Sequence, residues 1–205
     1  MKPLFFLSFV FMFTCAASPA FSQARRAITL SKADGGSVVT ELSRTIKVND
    51  GSSLRRRWFV LNDESCPVKL GNVGILARYK PSQYSGSYEF ISNGPVTVTQ
   101  DIEAVRLVFV VFDIFGDKMR GLSAIQVKDF TAQASIPHDG SWYATENDVE
   151  KFFTSVAFVS DVMLKDGRIW RSDYKAISSK LAEVEIKISE AGLEPDAPKP
   201  DPKEK

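Results

Sequence analysis

The sequence predicts an all-β fold, an antiparallel β-sandwich followed by one C-terminal helix. Three observations predict it. Between residues 37 and 170 the dominant apolar period is two, the repeat of strands rather than of helices. About seven strand-like runs are separated every ten to fifteen residues by Gly, Pro, Asn and Asp clusters, the rhythm of a sandwich and not of βαβ units. After them, Tyr174, Ile177, Leu181, Val184 and Ile188 fall at steps of three and four, which places them on one helix face.

Residues 1–24 read as a secretory signal. Lys2 supplies a positive start, Leu4 to Phe13 is apolar except for Ser8, and Ser22-Gln23-Ala24 fits a small-x-small cleavage site. The apolar run is well short of the ~20 residues a spanning helix needs, and Met12-Phe13-Thr14 is a poor lead-in for lipid attachment at Cys15. The expected location is therefore periplasmic or secreted, with no stable membrane insertion after cleavage. Cleavage removes Lys2 and Cys15, so 26 Lys+Arg against 25 Asp+Glu becomes an even balance. Cys66 is then the one thiol, expected to be buried as a small apolar residue rather than bridged to another chain.

Residues 25–53 are expected to be an N-terminal strand or extension, its strand-like run from Ser37 closing at Ile46 and Val48. The sandwich is placed at 54–172. Its runs are Trp58 to Leu61, then Val68 to Tyr79 after the turn Asn62-Asp63-Glu64-Ser65-Cys66-Pro67, then Tyr88 to Ile91 ending at Asn93-Gly94-Pro95. Val96 to Ile114 is the longest and most apolar, and Gly121 to Phe130 follows. Thr145-Glu146-Asn147-Asp148 has the spacing of a capping box and predicts a short helical turn. Ser155 to Trp170 reads as a hairpin on Asp166-Gly167, a dipeptide suited to a type I′ turn. The amphipathic helix is placed at 173–189 with Ser172 or Asp173 as N-cap; the rival is a strand through Val184, Ile186 and Ile188. Residues 190–205 hold four of the ten prolines and are expected to be a disordered, charged tail.

Phe109-Val110-Val111-Phe112-Asp113 followed by Gly116 and a further strand resembles the FxLYD-type domain, an immunoglobulin-like β-sandwich of exported bacterial proteins. Phe109 and Asp113 match the name-giving motif; Val111 stands where it has Leu and Phe112 where it has Tyr. The Asn62 to Pro67 turn and Lys165-Asp166-Gly167-Arg168-Ile169-Trp170 have a similar layout, so the resemblance spans about residues 54–172. It implies an immunoglobulin-like fold and an envelope location, and no assigned chemistry. The lost tyrosine hydroxyl means that no role of that group carries over.

The charge balance excludes a strongly basic nucleic-acid binder. One His and two Cys do not make an ordinary zinc site, and no cofactor is implied. Cys66 and His138 would make a nucleophilic pair only if the fold joined them; Pro137-His138-Asp139-Gly140 reads as an exposed turn. Asp113, Asp117, Asp129, Asp161, Asp166 and Asp173 lack the spacing of a calcium loop and suit hairpin ends. Arg55-Arg56-Arg57 before Trp58 is the one basic run, better read as Arg stems covering apolar surface than as a phosphate site. No Gly-rich phosphate loop or nucleophile elbow occurs.

The most informative feature is apolar. Leu107, Phe109 and Val111 occupy one face of their strand, and Val108, Val110, Phe112 and Ile114 the other. Val156, Phe158, Val162 and Leu164 likewise oppose Ala157, Val159 and Met163. A sandwich strand normally gives one face to water, so the outer face of a sheet must be covered. Val108, Val110, Phe112, Ile114, Val159 and Met163 are the candidate residues, covered by the 174–188 helix, by Ala27 to Val48, or by a partner. These readings favour an exported, non-enzymatic interaction module contacting an envelope protein or itself. A small-ligand or carbohydrate binder using Trp142 and Tyr143 is the alternative, and a carboxylate-based hydrolase ranks third.

Overall fold

The computed structural model describes residues 27–33, 45–47, 52–81 and 86–197. The signal reading over 1–24 lies outside them, as does most of the run from Ser37. The chain is an all-β sandwich carrying a helix near its C-terminus. Its strands are β1 (Ile28–Ala33), β2 (Thr45–Lys47), β3 (Ser53–Arg55), β4 (Arg57–Asp63), β5 (Val68–Leu70), β6 (Gly74–Lys80), β7 (Ser87–Val98), β8 (Ile102–Phe112), β9 (Lys118–Phe130), β10 (Ser135–Ala144), β11 (Thr154–Leu164) and β12 (Ile169–Arg171). Helix α1 is Glu146–Lys151 and helix α2 is Tyr174–Ala182.

The first sheet runs β1-β4-β11-β8-β9, with β12 also on β11. Its pairs are antiparallel except β4 with β11, which run parallel from Arg57↔Thr154 to Leu61↔Phe158. The antiparallel expectation is corrected at that one pair. The second sheet is β10-β7-β5, with β6 on β7. Because β5 and β6 pair with different halves of β7, they lie end to end along one edge. A small hairpin joins β2 and β3.

Several boundaries differ from expectation for identifiable reasons. The run 68–79 is two strands, broken where Gly71 donates to the Pro95 carbonyl at 2.9 Å. Strand β7 continues through Asn93-Gly94-Pro95 because β10 pairs with it along its whole length. The run 96–114 is two strands, parted by a bend in which Thr99 donates to the Pro67 carbonyl at 2.7 Å. Asp166-Gly167 does turn the β11–β12 hairpin. Only Gly167 has positive φ (80°), and Gly167 N–H donates to the Leu164 carbonyl. That is a type I turn with a glycine bulge, not type I′.

Thr145 and Asp148 form the predicted capping box on α1. Asp173 caps α2, its carboxylate accepting from Ala176 N–H at 3.1 Å. The helix stops at Ala182, not 189. Glu185 takes φ 67° and Ile186 N–H reaches back to the Leu181 carbonyl at 3.1 Å, a Schellman-type ending. Residues 190–197 are not a solvated tail either: Ala191–Leu193 is a 3-10 turn and Leu193 is fully buried.

Two large apolar cores result among the described residues, beside a small cluster of Trp58, Leu76 and Ile91. The larger lies between the sheets and holds Phe90, Leu107, Phe109, Val111, Ala157 and Val159 among others. The smaller lies on the outer face of the first sheet. There Phe59, Leu61, Val108, Val110, Phe112, Val156 and Phe158 pack under Ile177, Leu181, Ile186 and Leu193, with Ile28 and Leu30 of β1 alongside.

Candidate functional site

The outer face of the first sheet is built in rows that cross its strands. Helix α2 and residues 183–193 close the rows through Val110 and Val108. What lies beyond them depends on Ser160. Between Val159 and Asp161 the β8–β11 register slips by one residue, so Ser160 is a bulge, and a bulge reverses which side chains face out. Val162 and Leu164 therefore join Ala157 and Val159 between the sheets, while Asp161 and Met163 turn outward. The expected grouping of Val162 and Leu164 with Phe158 is corrected on that ground.

The first row past the helix is Ile125–Arg106–Asp161–Arg171, across β9, β8, β11 and β12. Asp161 sits between two guanidiniums, Arg106 at 3.1 Å and Arg171 at 3.4 Å, and also accepts from the Ser160 hydroxyl at 2.8 Å. The row's three charged members, Arg106, Asp161 and Arg171, floor an open polar cleft of about 540 Å3, walled by Tyr174, Glu190 and Glu194. Burial, with Asp161 nearby, raises the Tyr174 phenol above its ordinary pKa, and its ring stands edge-on to Phe158 at 5.8 Å.

The next row is apolar: Val127–Ala104–Met163–Ile169. Nothing in the described chain lies over it. Val127 is 79% exposed, Ile169 48% and Met163 39%, and Ile125 in the adjoining row is 57% exposed. Contiguous exposed apolar side chains at the uncovered end of a sheet face are the usual mark of a contact surface.

Other sequence candidates take structural positions. His138 is not in an exposed turn; it is a strand residue buried between the sheets, Nε2 hydrogen-bonded to the Ser92 hydroxyl at 3.1 Å and its ring stacked on Phe109 at 5.5 Å. Burial holds its pKa below the ordinary value, with Asp139 opposing. The Cys66 thiol is buried and accepts from Val68 N–H at 3.4 Å, so the structure gives Cys66 and His138 different neighbours. In the basic run, Arg56 alone turns inward. It donates to the Val149 and Phe152 carbonyls at the end of α1, lies over the Phe152 ring at 4.7 Å, and burial lowers its pKa to about 10. Arg57 lies over Phe59 and Phe153.

The Trp142 indole N–H donates to the Ser123 carbonyl at 3.2 Å and its ring leans on Phe109, which leaves Tyr143 as the exposed aromatic of that pair. Asp113 accepts from Phe115 and Asp117 N–H, both at 2.9 Å, and Asp166 from Arg168 N–H; these aspartates shape turns. Among the described residues, no group of three or more His, Cys, Asp and Glu is placed to hold a metal, and no helix is long and apolar enough to cross a membrane.

No known family matches the chain. No curated protein matches it either. A solved structure of a hypothetical protein from Peptoclostridium difficile 630 is similar at 8% identity and a TM-score of 0.38, over 63% of this chain and 97% of that one. That likeness is too distant to bear on function.

Of the six residues singled out from sequence, Val108, Val110 and Phe112 lie under the helix, and Val159 lies between the sheets. Ile114 is exposed in the β8–β9 turn, away from the covered face, because the strand ends at Phe112. Met163 alone belongs to the bare row. Sequence reasoning missed Ile125, Val127 and Ile169. The available signal was apolar residues on the odd positions of β9, where Leu122 already marks the even ones as inward.

Proposed function

We propose that the mature chain is an exported, non-enzymatic β-sandwich module that acts through protein contacts in the cell envelope, and that the bare end of the first sheet's outer face makes them. The observation that carries this reading is the row Val127–Ala104–Met163–Ile169, apolar across four strands, uncovered by any described residue and one polar row beyond the part of the face that the helix covers. Export is supported by the leader-like pattern of residues 1–24, and N-terminal sequencing of the mature protein should begin at Arg25. The FxLYD-like reading is supported by Phe109 in the inter-sheet core and Asp113 capping the β8–β9 turn.

The test is photo-crosslinking in the source cell from a benzophenone residue at Val127, Met163 or Ile169, with Thr97 on the second sheet as control. The expected result is one discrete protein adduct from the three row positions, lost in a Met163→Lys, Ile169→Lys variant that keeps its melting temperature. Equal adducts from the control, or adducts indifferent to the double variant, would overturn the reading.

A further inference from the structure

Strand β9 ends the first sheet, and its outward backbone groups can be identified residue by residue. Gly121 N–H donates to the Asp196 carboxylate and Gly121 C=O accepts from Asp196 N–H, both at 2.9 Å. The Ser123 carbonyl accepts from Trp142. From Gly121 to Val127 the register with β8 is unbroken, so the alternation of a strand turns the N–H and C=O of Ile125 and Val127 outward as well. Past Val127 the register slips before Phe130, and the edge bends away.

The edge is thus closed at Gly121 by the C-terminal segment, closed at Ser123 by an indole, and interrupted after Val127. Between these, the outward backbone groups of Ile125 and Val127 meet no other described residue, and both side chains are β-branched and well exposed. Edges are normally blunted by charge, proline or cover; here the blunting stops where the apolar residues begin.

We propose that this stretch pairs with the same stretch of a second copy, antiparallel about Gln126, an inference that rests on the protein-contact reading and names a partner for the Val127 end of the row. In that register Ile125 of each copy faces Val127 of the other. All four outward N–H groups and carbonyls then find partners, and two apolar cross-strand pairs form on the outer face. The interface is isologous and closes as a dimer. An even charge balance sets no net repulsion between copies. A strand continued two by two from Asp196 would bring Pro198, Pro200 and Pro202, none of which has an N–H to give.

Sedimentation equilibrium of residues 25–205, from low micromolar to near millimolar, tests it. The expected result is a reversible monomer–dimer equilibrium, with the Ile125 and Val127 amides exchanging more slowly as concentration rises and Gly121 unchanged. Val127→Pro removes an outward N–H without touching the bonds to β8 and should weaken dimerisation by about tenfold or more. Val127→Lys, which leaves the backbone intact, should do the same if the proline variant fails to fold. A dimer indifferent to the folded variant overturns the proposal. A chain that stays monomeric throughout also overturns it, and the contact reading then stands or falls on the crosslinks from Val127, Met163 and Ile169. An adduct to a different protein would retain that reading without this partner.

Discussion

Asp196 and Gly121 exchange two hydrogen bonds at 2.9 Å, one through the Asp196 backbone N–H and one through its carboxylate. Lys118 secures the same contact, 3.0 Å from the Asp196 carboxylate and 3.0 Å from the Glu194 carbonyl. The C-terminal segment is thereby tied to the edge of β9 immediately after Leu193 has entered the outer core. This one rung joins the helical cover to the far side of the sheet that it covers.

Gly121 is the residue that this crossing cannot replace. A Cβ there would stand 2.6 Å from the Glu194 carbonyl oxygen and 3.0 Å from Pro195 Cα, both backbone positions. Gly121→Ala should lift the 194–196 segment and destabilise the fold by about 1–3 kcal/mol. Thermal unfolding reads the loss, and faster amide exchange at Gly121 locates it. An unchanged melting temperature would mean that the segment moves aside without consequence.

Val110 sits fully buried beneath the helical cover. Val110→Asp would place a carboxylate there with no designed partner, a cost of several kcal/mol, on the order of half the stability of an ordinary domain. Loss of cooperative unfolding, or a steep fall in the urea midpoint, is expected. A variant that folds normally but no longer associates would show that the cover detaches in solution.

His138 should make stability depend on pH in one window. Its folded pKa is held below 6.5 by burial, while the unfolded chain takes up a proton near 6.5. As pH falls through 6.5 the unfolded state gains that proton and the folded state does not. Stability is therefore level above this value and declines below it, by at most about 1.4 kcal/mol per pH unit, until the folded pKa is reached. Urea unfolding between about pH 8 and pH 5 should show the slope in the wild type and lose it in His138→Gln. Equal slopes in the two proteins would assign the dependence to carboxylates instead.

The strand period, the turn clusters, the capping box and the helix start were legible in the sequence because they arise from neighbours along the chain. Thr145 and Asp148 lie three apart, and the two faces of Arg106 to Ile114 alternate residue by residue. Even the demand for a covered outer face could be read from Val108, Val110 and Phe112 alone.

Tertiary structure decided what depends on register and on distant partners. The bulge at Ser160 is an extra residue relative to β8, invisible within β11 itself, and it transfers Val162 to the inner core and Met163 to the bare row. Pairing with β7 makes a strand of Pro137-His138-Asp139-Gly140, whose local chemistry spells a turn. Glu185 turns the chain at φ 67° after the helix, and the reversal brings Ile186 into the same buried cluster as Leu181. Asp196 and Trp142 close the β9 edge at Gly121 and Ser123 and stop short of Ile125 and Val127, and those contacts join residues 75 and 19 apart in sequence. Local periodicity specifies which faces are apolar; only the register of distant strands specifies which of those faces meets water.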